Sequence, residues 1–132
     1  MIRVWIFLTL SLICSGCLAL EQAAESKPVD TKALLEQRVT QYWLARQSRD
    51  VRTLYDMESG SLPGKGLTPD KAMDLAGLRV KNVKTEVLSV ESDRAKIRVN
   101  GDVLVGTLGW APQILEEQWV LIDGQWYHET KL

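Results

Sequence analysis

His128 is the sole histidine of a 132-residue chain, and its isolation narrows the chemistry on offer. No second histidine can join it, and no Cys, Asp or Glu cluster stands beside it at ligand spacing, so the sequence points to no metal centre and no cofactor. In the final alternating run it shares a face with Trp126, opposite Tyr127 and Glu129, which puts it in a pocket or at a pocket rim. With no partner legible nearby, it reads as a structural or rim histidine rather than a catalytic one. Tyr42, Tyr55 and Asp56 also have side chains of a type suited to acid–base work. A carboxylate can accept a proton, and a phenol can stabilise a developing oxyanion. Tyr42, however, lies on an apolar helical stripe, where a packed ring with a satisfied hydroxyl is the plainer reading. Asp56 lies near a helix end, where a solvated or locally bonded carboxylate explains it equally well. No residue is assigned as catalytic.

The tryptophans offer binding rather than reaction chemistry. Trp43, Trp110, Trp119 and Trp126 follow residue 16 in a stretch that contains no phenylalanine, and they suit either an aromatic-lined cavity or a core. Trp43 and Trp119 occupy positions where burial is expected. Trp110 stands in Gly106-Thr107-Leu108-Gly109-Trp110-Ala111-Pro112, where the glycines and proline suggest a strand end or loop at a rim or interface. Arg46, one turn after Tyr42 and Trp43, is the best polar group to direct into a cavity, with an exposed ion pair as the commoner alternative. The candidate pocket or interface set is therefore Tyr42, Trp43, Arg46, Tyr55, Trp110, Trp126 and His128.

Cys17 carries a different chemistry. One cation, Arg3, precedes an uncharged, largely apolar run at 4–13, broken only by Thr9 and Ser11, and then Cys14-Ser15-Gly16-Cys17. The run is too short to cross a bilayer, which takes about 20 apolar residues. The pattern resembles a bacterial lipoprotein signal peptide, cut before Cys17 and leaving that thiol lipidated. Cys14 stands where such signals usually carry an aliphatic residue. Taking Cys14 as the lipidated residue would put Leu12 and Ile13 where small residues are required. The resemblance implies a membrane partner held through acyl chains on Cys17. Each buried methylene contributes about 0.8 kcal/mol, and stable anchoring takes more than one chain. It also implies a cell-envelope location. In a didermic host Leu18 lacks the aspartate associated with inner-membrane retention, which points to the periplasmic face of the outer membrane.

The leader's removal would leave 116 residues of the 132, enough for one domain with a modest core. Arg3 leaves with the leader, so 15 basic and 17 acidic residues remain. No basic stripe exists to neutralise phosphates, which argues against nucleic-acid binding. With Cys14 removed and Cys17 lipidated, neither a disulfide nor a free thiol is expected. The organisation is then a signal peptide at 1–16, a lipidated cysteine and tether at 17–29, and a folded domain at 30–132.

Several elements must position the candidate residues. Asp30 or Thr31 can cap a helix reaching about residue 49, because Leu35, Val39, Tyr42 and Trp43 recur at steps of three and four. Asp50 can start a second, shorter helix that ends near Glu58-Ser59-Gly60. Glycines and Pro63 mark a loop, and Thr68-Pro69-Asp70 opens a third helix over 69–76, stopped by Gly77. Beyond it the period becomes alternating and β-branched residues multiply. Strands are expected at 78–91, 95–100, 103–110, 114–122 and 125–130, with turns at Ser92-Asp93, Gly101-Asp102 and Asp123-Gly124. Helices followed by an antiparallel meander make an α+β domain.

The Tyr42-Trp43-Leu44-Ala45-Arg46 helix, Asp50 with Leu54-Tyr55-Asp56, and the closing segment from Glu117 to Tyr127 resemble the nuclear transport factor 2-like superfamily. The resemblance covers most of the chain after the leader. It implies N-terminal helices packed in a curved antiparallel sheet that forms a cone, commonly around a pocket. It also implies a short strand pair between helices, which the glycine-rich 59–67 segment does not show. Because the superfamily holds isomerases, dehydratases and polyketide cyclases beside noncatalytic modules, fold alone assigns no activity. The expectation is a noncatalytic domain that binds a small apolar ligand or an envelope protein, with a homodimer through the exposed sheet face as one arrangement. The alternative is a small isomerase, dehydratase or hydrolase using a carboxylate or tyrosine in the cone. The enzyme reading requires at least two of Tyr42, Tyr55, Asp56 and His128 to converge on one vacancy. An interaction module would instead show a filled cone and an apolar outer sheet face.

Overall fold

The computed structural model describes residues 31–132; the signal peptide, Cys17, the tether and the Asp30 cap lie outside the described residues. Helix α1, Thr31–Ser48, buries Leu35, Val39, Tyr42, Trp43 and Ala45. These recur every third or fourth position and so form one face. Arg49 adopts a positive φ of 58° that ends the helix. Asp50 then caps α2, Val51–Met57, by accepting from the Thr53 amide at 3.1 Å and the Thr53 hydroxyl at 2.6 Å.

After α2 the backbone leaves the helix at Glu58 in an extended conformation and turns through a short 3-10 segment, Ser59–Ser61. The strand pair that the resemblance implies between helices does not form among the described residues, and Glu58 makes one isolated parallel bridge, to His128. Thr68 and Pro69 start α3, Pro69–Ala72, as their types demand. The helix expected over 69–76 is α-helical only to Ala72 and tightens into a 3-10 turn, Met73–Ala76. Gly77 follows with φ 50°.

The sheet is a meander of β1 Val80–Glu91, β2 Arg94–Leu104, β3 Trp110–Ile122 and β4 Gln125–His128, antiparallel throughout. Four strands replace the five expected, because Gly101-Asp102 is not a turn. Both residues stay in register, opposite Gln113 and Pro112. Gly101 instead admits a close approach of β1: a Cβ there would lie 3.3 Å from the Lys81 carbonyl oxygen, beside the irregular register between Lys81 and Lys84. The chain reverses at 105–109, where Val105 N–H donates to the Gly109 carbonyl at 2.9 Å and both Gly106 and Gly109 take positive φ. The Asp123-Gly124 hairpin forms as expected, with φ of 49° and 78° suited to a tight primed turn.

Helices α1 and α2 pack on the inward face of this sheet. Trp119, Trp126, Tyr42, Leu35, Leu54 and Ile97 fill the centre. Trp126 donates its indole N–H to the Thr31 carbonyl at 3.2 Å, and the Arg38 Nε donates to the Trp126 carbonyl at 3.1 Å, joining β4 to α1. The architecture is α+β, with N-terminal helices held in a curved antiparallel sheet.

Candidate functional site

Inward alternation along β3 brings Leu115, Glu117 and Trp119 to the face that opposes Val99, Ile97 and Ala95 of β2. Glu117 is therefore buried by the same pleat that buries Trp119. Its Oε1 accepts the indole N–H groups of Trp43 at 2.9 Å and Trp119 at 3.2 Å. Its Oε2 stands 3.3 Å from Nε2 of His128. On the other edge of that imidazole, Nδ1 lies 2.7 Å from Oε1 of Glu58, a fully buried carboxylate. Tyr42 donates its hydroxyl to the same Glu58 oxygen at 2.7 Å, and Thr130 donates to Oε2 at 2.6 Å. The Tyr42 ring stacks on His128 at 4.7 Å, and Trp119 meets His128 edge-on at 5.7 Å.

The electrostatics follow from this enclosure. Burial alone would lower the His128 pKa, but hydrogen bonds to Glu117 and Glu58 and their charges push it up to about 9. At neutral pH it is an imidazolium donating from both nitrogens. Burial alone would raise the Glu58 pKa, but the contacts from His128, Thr130 and Tyr42 hold it below the usual carboxylate range. Burial, then the neighbouring Glu58 charge, raises the Tyr42 hydroxyl far above an ordinary phenol, so it stays protonated.

Tyr42 and His128 do converge: both bond Glu58, and both line a polar cleft that Glu58 and Glu117 also border. Both imidazole nitrogens are engaged, the phenol is committed, and Glu58 has no exposed surface. Each of these groups is thus committed to a neighbour, and an acid or base drawn from the set would have to exchange that bond for one to substrate. The two carboxylates flank the imidazole on opposite edges, and among the described residues no group of three or more His, Cys, Asp and Glu side chains could hold a metal ion. The cluster is a tie between α1, the end of α2, β3, β4 and the C-terminal segment.

A separate apolar cavity of about 330 Å³ opens beyond Trp43, between the last turn of α1 and the inward faces of β1 to β3. Val80, Val83, Val99, Val103, Val105 and Leu115 line it with the exposed Leu78 and, as a polar neighbour, Gln113. This volume falls at the small end of ligand pockets. Arg46 lies between this cavity and a more polar cleft of about 420 Å³ that reaches Glu117 and His128. Its guanidinium covers the Trp43 ring at 5.0 Å.

The remaining sequence candidates are dispersed. Tyr55 sits under the 59–67 loop, its hydroxyl 3.4 Å from the Leu67 carbonyl. Asp56 lines a surface groove beside Arg38 and Met57. Trp110 begins β3 with 42% exposure and lies under the Lys81 ammonium, 4.2 Å from its ring centre. Trp126 is core. The outer sheet face carries an ion ladder, Glu86–Arg98–Glu116, rather than a continuous apolar surface. The residues that sequence reasoning did not pick out are Glu58, Glu117 and Thr130. Glu117 had a signal, since it lies two positions before an inward Trp119; Glu58 had none beyond marking a helix end.

No family model matches the chain, and no curated protein is similar enough in sequence to count as a relative. Solved structures do match. A nuclear transport factor 2-like protein from Campylobacter jejuni, provisionally named a transpeptidase, superposes with a TM-score of 0.54 at 18% identity, over 74% of this chain and 98% of that one. A SEC-C motif-containing protein from Rhodopseudomonas palustris gives 0.53 at 12% identity, over 76% and 85% of the two chains. A nuclear transport factor 2-like protein of unknown function from Pseudomonas putida gives 0.51 at 14%, over 74% and 82%. At these identities the likeness is one of fold: the domain has the nuclear transport factor 2-like α+β architecture.

Proposed function

We propose that this chain is a noncatalytic binding domain, lipid-anchored through Cys17 in the cell envelope, that takes a small and largely apolar ligand in the cavity beside Trp43. The observation that carries the reading is the division of labour inside the cone. Its polar residues are consumed by one another in the Glu58–His128–Glu117 tie, while the adjoining space is walled by valines and leucine. Apolar walls with few polar groups favour binding over turnover. The ion ladder on the outer sheet face weighs against the protein-partner version, which calls for an apolar face there. The leader pattern and the small residues before Cys17 support the envelope placement; in a didermic host that is the periplasmic face of the outer membrane.

The reading is tested by calorimetric titration of the full-length protein in lipid nanodiscs with 4-phenylbutanol, against empty nanodiscs. Saturable binding at one site is expected, and Val103→Trp, which fills the cavity from its wall, should abolish it. Absence of saturable binding by this alcohol and by compounds of similar size would reject a ligand-binding cone.

A further inference from the structure

Arg46 is the one cation among the residues lining the apolar cavity. Its situation is unusual for a guanidinium. The Nε is buried and has no hydrogen-bond partner, and among the described residues no carboxylate stands within ion-pairing distance of it. Arginine presents up to five N–H donors in a planar fork, and leaving a buried donor unmatched costs stability. The fold nevertheless keeps it there. Gly77, at positive φ, makes room: a Cβ at that position would stand 2.7 Å from Arg46 Nη2. The Gly77 carbonyl accepts from Arg49 Nη1 at 3.1 Å rather than from Arg46. Stacking on Trp43 holds the guanidinium plane between the apolar cavity and the polar cleft.

The other charged residue at the cavity, Asp102, does not compete for Arg46. By the unbroken register of β2 with β3, the Asp102 side chain alternates to the outer face, where Asn82 donates to it at 2.8 Å. Asp74 and Glu117 line the polar cleft with Arg46 but neither forms an ion pair with it, and both Glu117 oxygens are already engaged by Trp43, Trp119 and His128. A planar fork beside an apolar slot matches one kind of molecule: an apolar body ending in a single carboxylate, which accepts two parallel N–H bonds. A cavity of about 330 Å³ holds one ring or short chain rather than a two-chain phospholipid.

We infer that the ligand of this cavity is a small amphiphilic monocarboxylate whose carboxylate is held by Arg46 while its apolar part occupies the valine-walled slot. The inference rests on the binding reading above and adds the charge of the ligand. The test is a matched series, 4-phenylbutyrate, 4-phenylbutanol and 4-phenylbutylamine, titrated calorimetrically into the full-length protein in nanodiscs. The carboxylate is expected to bind at least about tenfold more tightly than the alcohol, and the amine more weakly than both. In Arg46→Gln the gap between carboxylate and alcohol should close while alcohol affinity is retained. Equal affinity of carboxylate and alcohol for the unaltered protein overturns the inference and leaves the apolar-ligand reading standing. Binding by none of the three overturns both. Should Arg46→Gln not fold, the series on the unaltered protein still decides the ligand's charge, and Arg46→Lys, which keeps a cation without the fork, should retain only part of the preference. A full preference in a folded Arg46→Gln protein would overturn the role given to Arg46.

Discussion

His128 and Glu58 meet twice: their backbones form an isolated parallel bridge, and Nδ1 of the imidazole lies 2.7 Å from Oε1 of the carboxylate. The bridge sets the end of α2 beside β4, and the side-chain contact makes that placement depend on charge. Removing the imidazole leaves two buried carboxylates facing a void. His128→Ala is therefore expected to lower unfolding free energy by about 3 kcal/mol, in line with other buried pairs broken from one side. Chemical denaturation followed by tryptophan fluorescence measures it. A folded variant of unchanged stability that had lost a defined turnover would instead favour the enzyme reading.

The same pair sets a pH profile. His128 has a folded pKa of about 9, above its ordinary value, so its contribution is fully present below about pH 6.5 and is lost as pH rises toward 9. Glu58 has the opposite sign. Its folded pKa lies below its unfolded one, so its contribution is present above the ordinary carboxylate range and fades as pH falls through the folded value. Melting temperature should thus decline between about pH 6.5 and 9, and His128→Gln should flatten that decline. An unchanged alkaline slope in the variant would assign the titration to another group.

How far the sequence foretold this arrangement depends on whether a contact is local. Periodicity in α1, capping by Asp50 and Thr68, and the Asp123-Gly124 turn are short-range effects, and each was legible. Gly101 misled because glycine serves two needs, tight turns and close strand approach, and only the neighbouring strand reveals which one applies. The Glu58–His128 contact spans 70 positions, and nothing in either local pattern announces it. Glu117 lay between these cases: the pleat that turns Trp119 inward turns Glu117 inward as well.

Gly60 allows the C-terminal segment to close over the tie. Its N–H donates to Thr130 Oγ1 at 2.8 Å, and a Cβ at residue 60 would lie 2.8 Å from that oxygen and 2.9 Å from two Thr130 carbons. Gly60→Ala must push Thr130 away and with it the 2.6 Å contact to Glu58. A loss of about 1–3 kcal/mol is expected, typical of overpacking. Thr130→Val keeps the shape and removes the hydroxyl, so it should cost about 1–3 kcal/mol through the unsatisfied Glu58 oxygen and the Gly60 N–H left without its acceptor. If Gly60→Ala were neutral, the close seating of Thr130 would not be required.

Lipidation carries its own test. Globomycin should cause the unprocessed precursor to accumulate, and mass spectra of the processed protein should show an acylated peptide beginning at Cys17. Cys17→Ser should abolish acylation and globomycin sensitivity together. An unmodified Cys17 thiol in the processed protein would exclude the anchor and leave the ligand reading untouched, since no cavity residue depends on it.

Trp43 lets the tie and the cavity be separated experimentally. Its indole N–H donates to Glu117 at 2.9 Å, while its ring supports Arg46 and forms part of the apolar wall. Trp43→Phe removes the donor and retains an aromatic face. Glu117 keeps Trp119 as a donor to the same oxygen, at 3.2 Å, so that oxygen is not orphaned. The expected cost is about 1–2 kcal/mol, combining a lost hydrogen bond with the smaller ring. Carboxylate binding should weaken by only about threefold, because phenylalanine still offers Arg46 a cation–π surface, though a poorer one than indole. Trp43→Leu removes that surface and part of the wall, so it should weaken both ligands and reduce the preference for the carboxylate over the alcohol. If both substitutions weakened carboxylate and alcohol equally while the protein stayed folded, Trp43 would act as cavity wall alone and not as a support for Arg46.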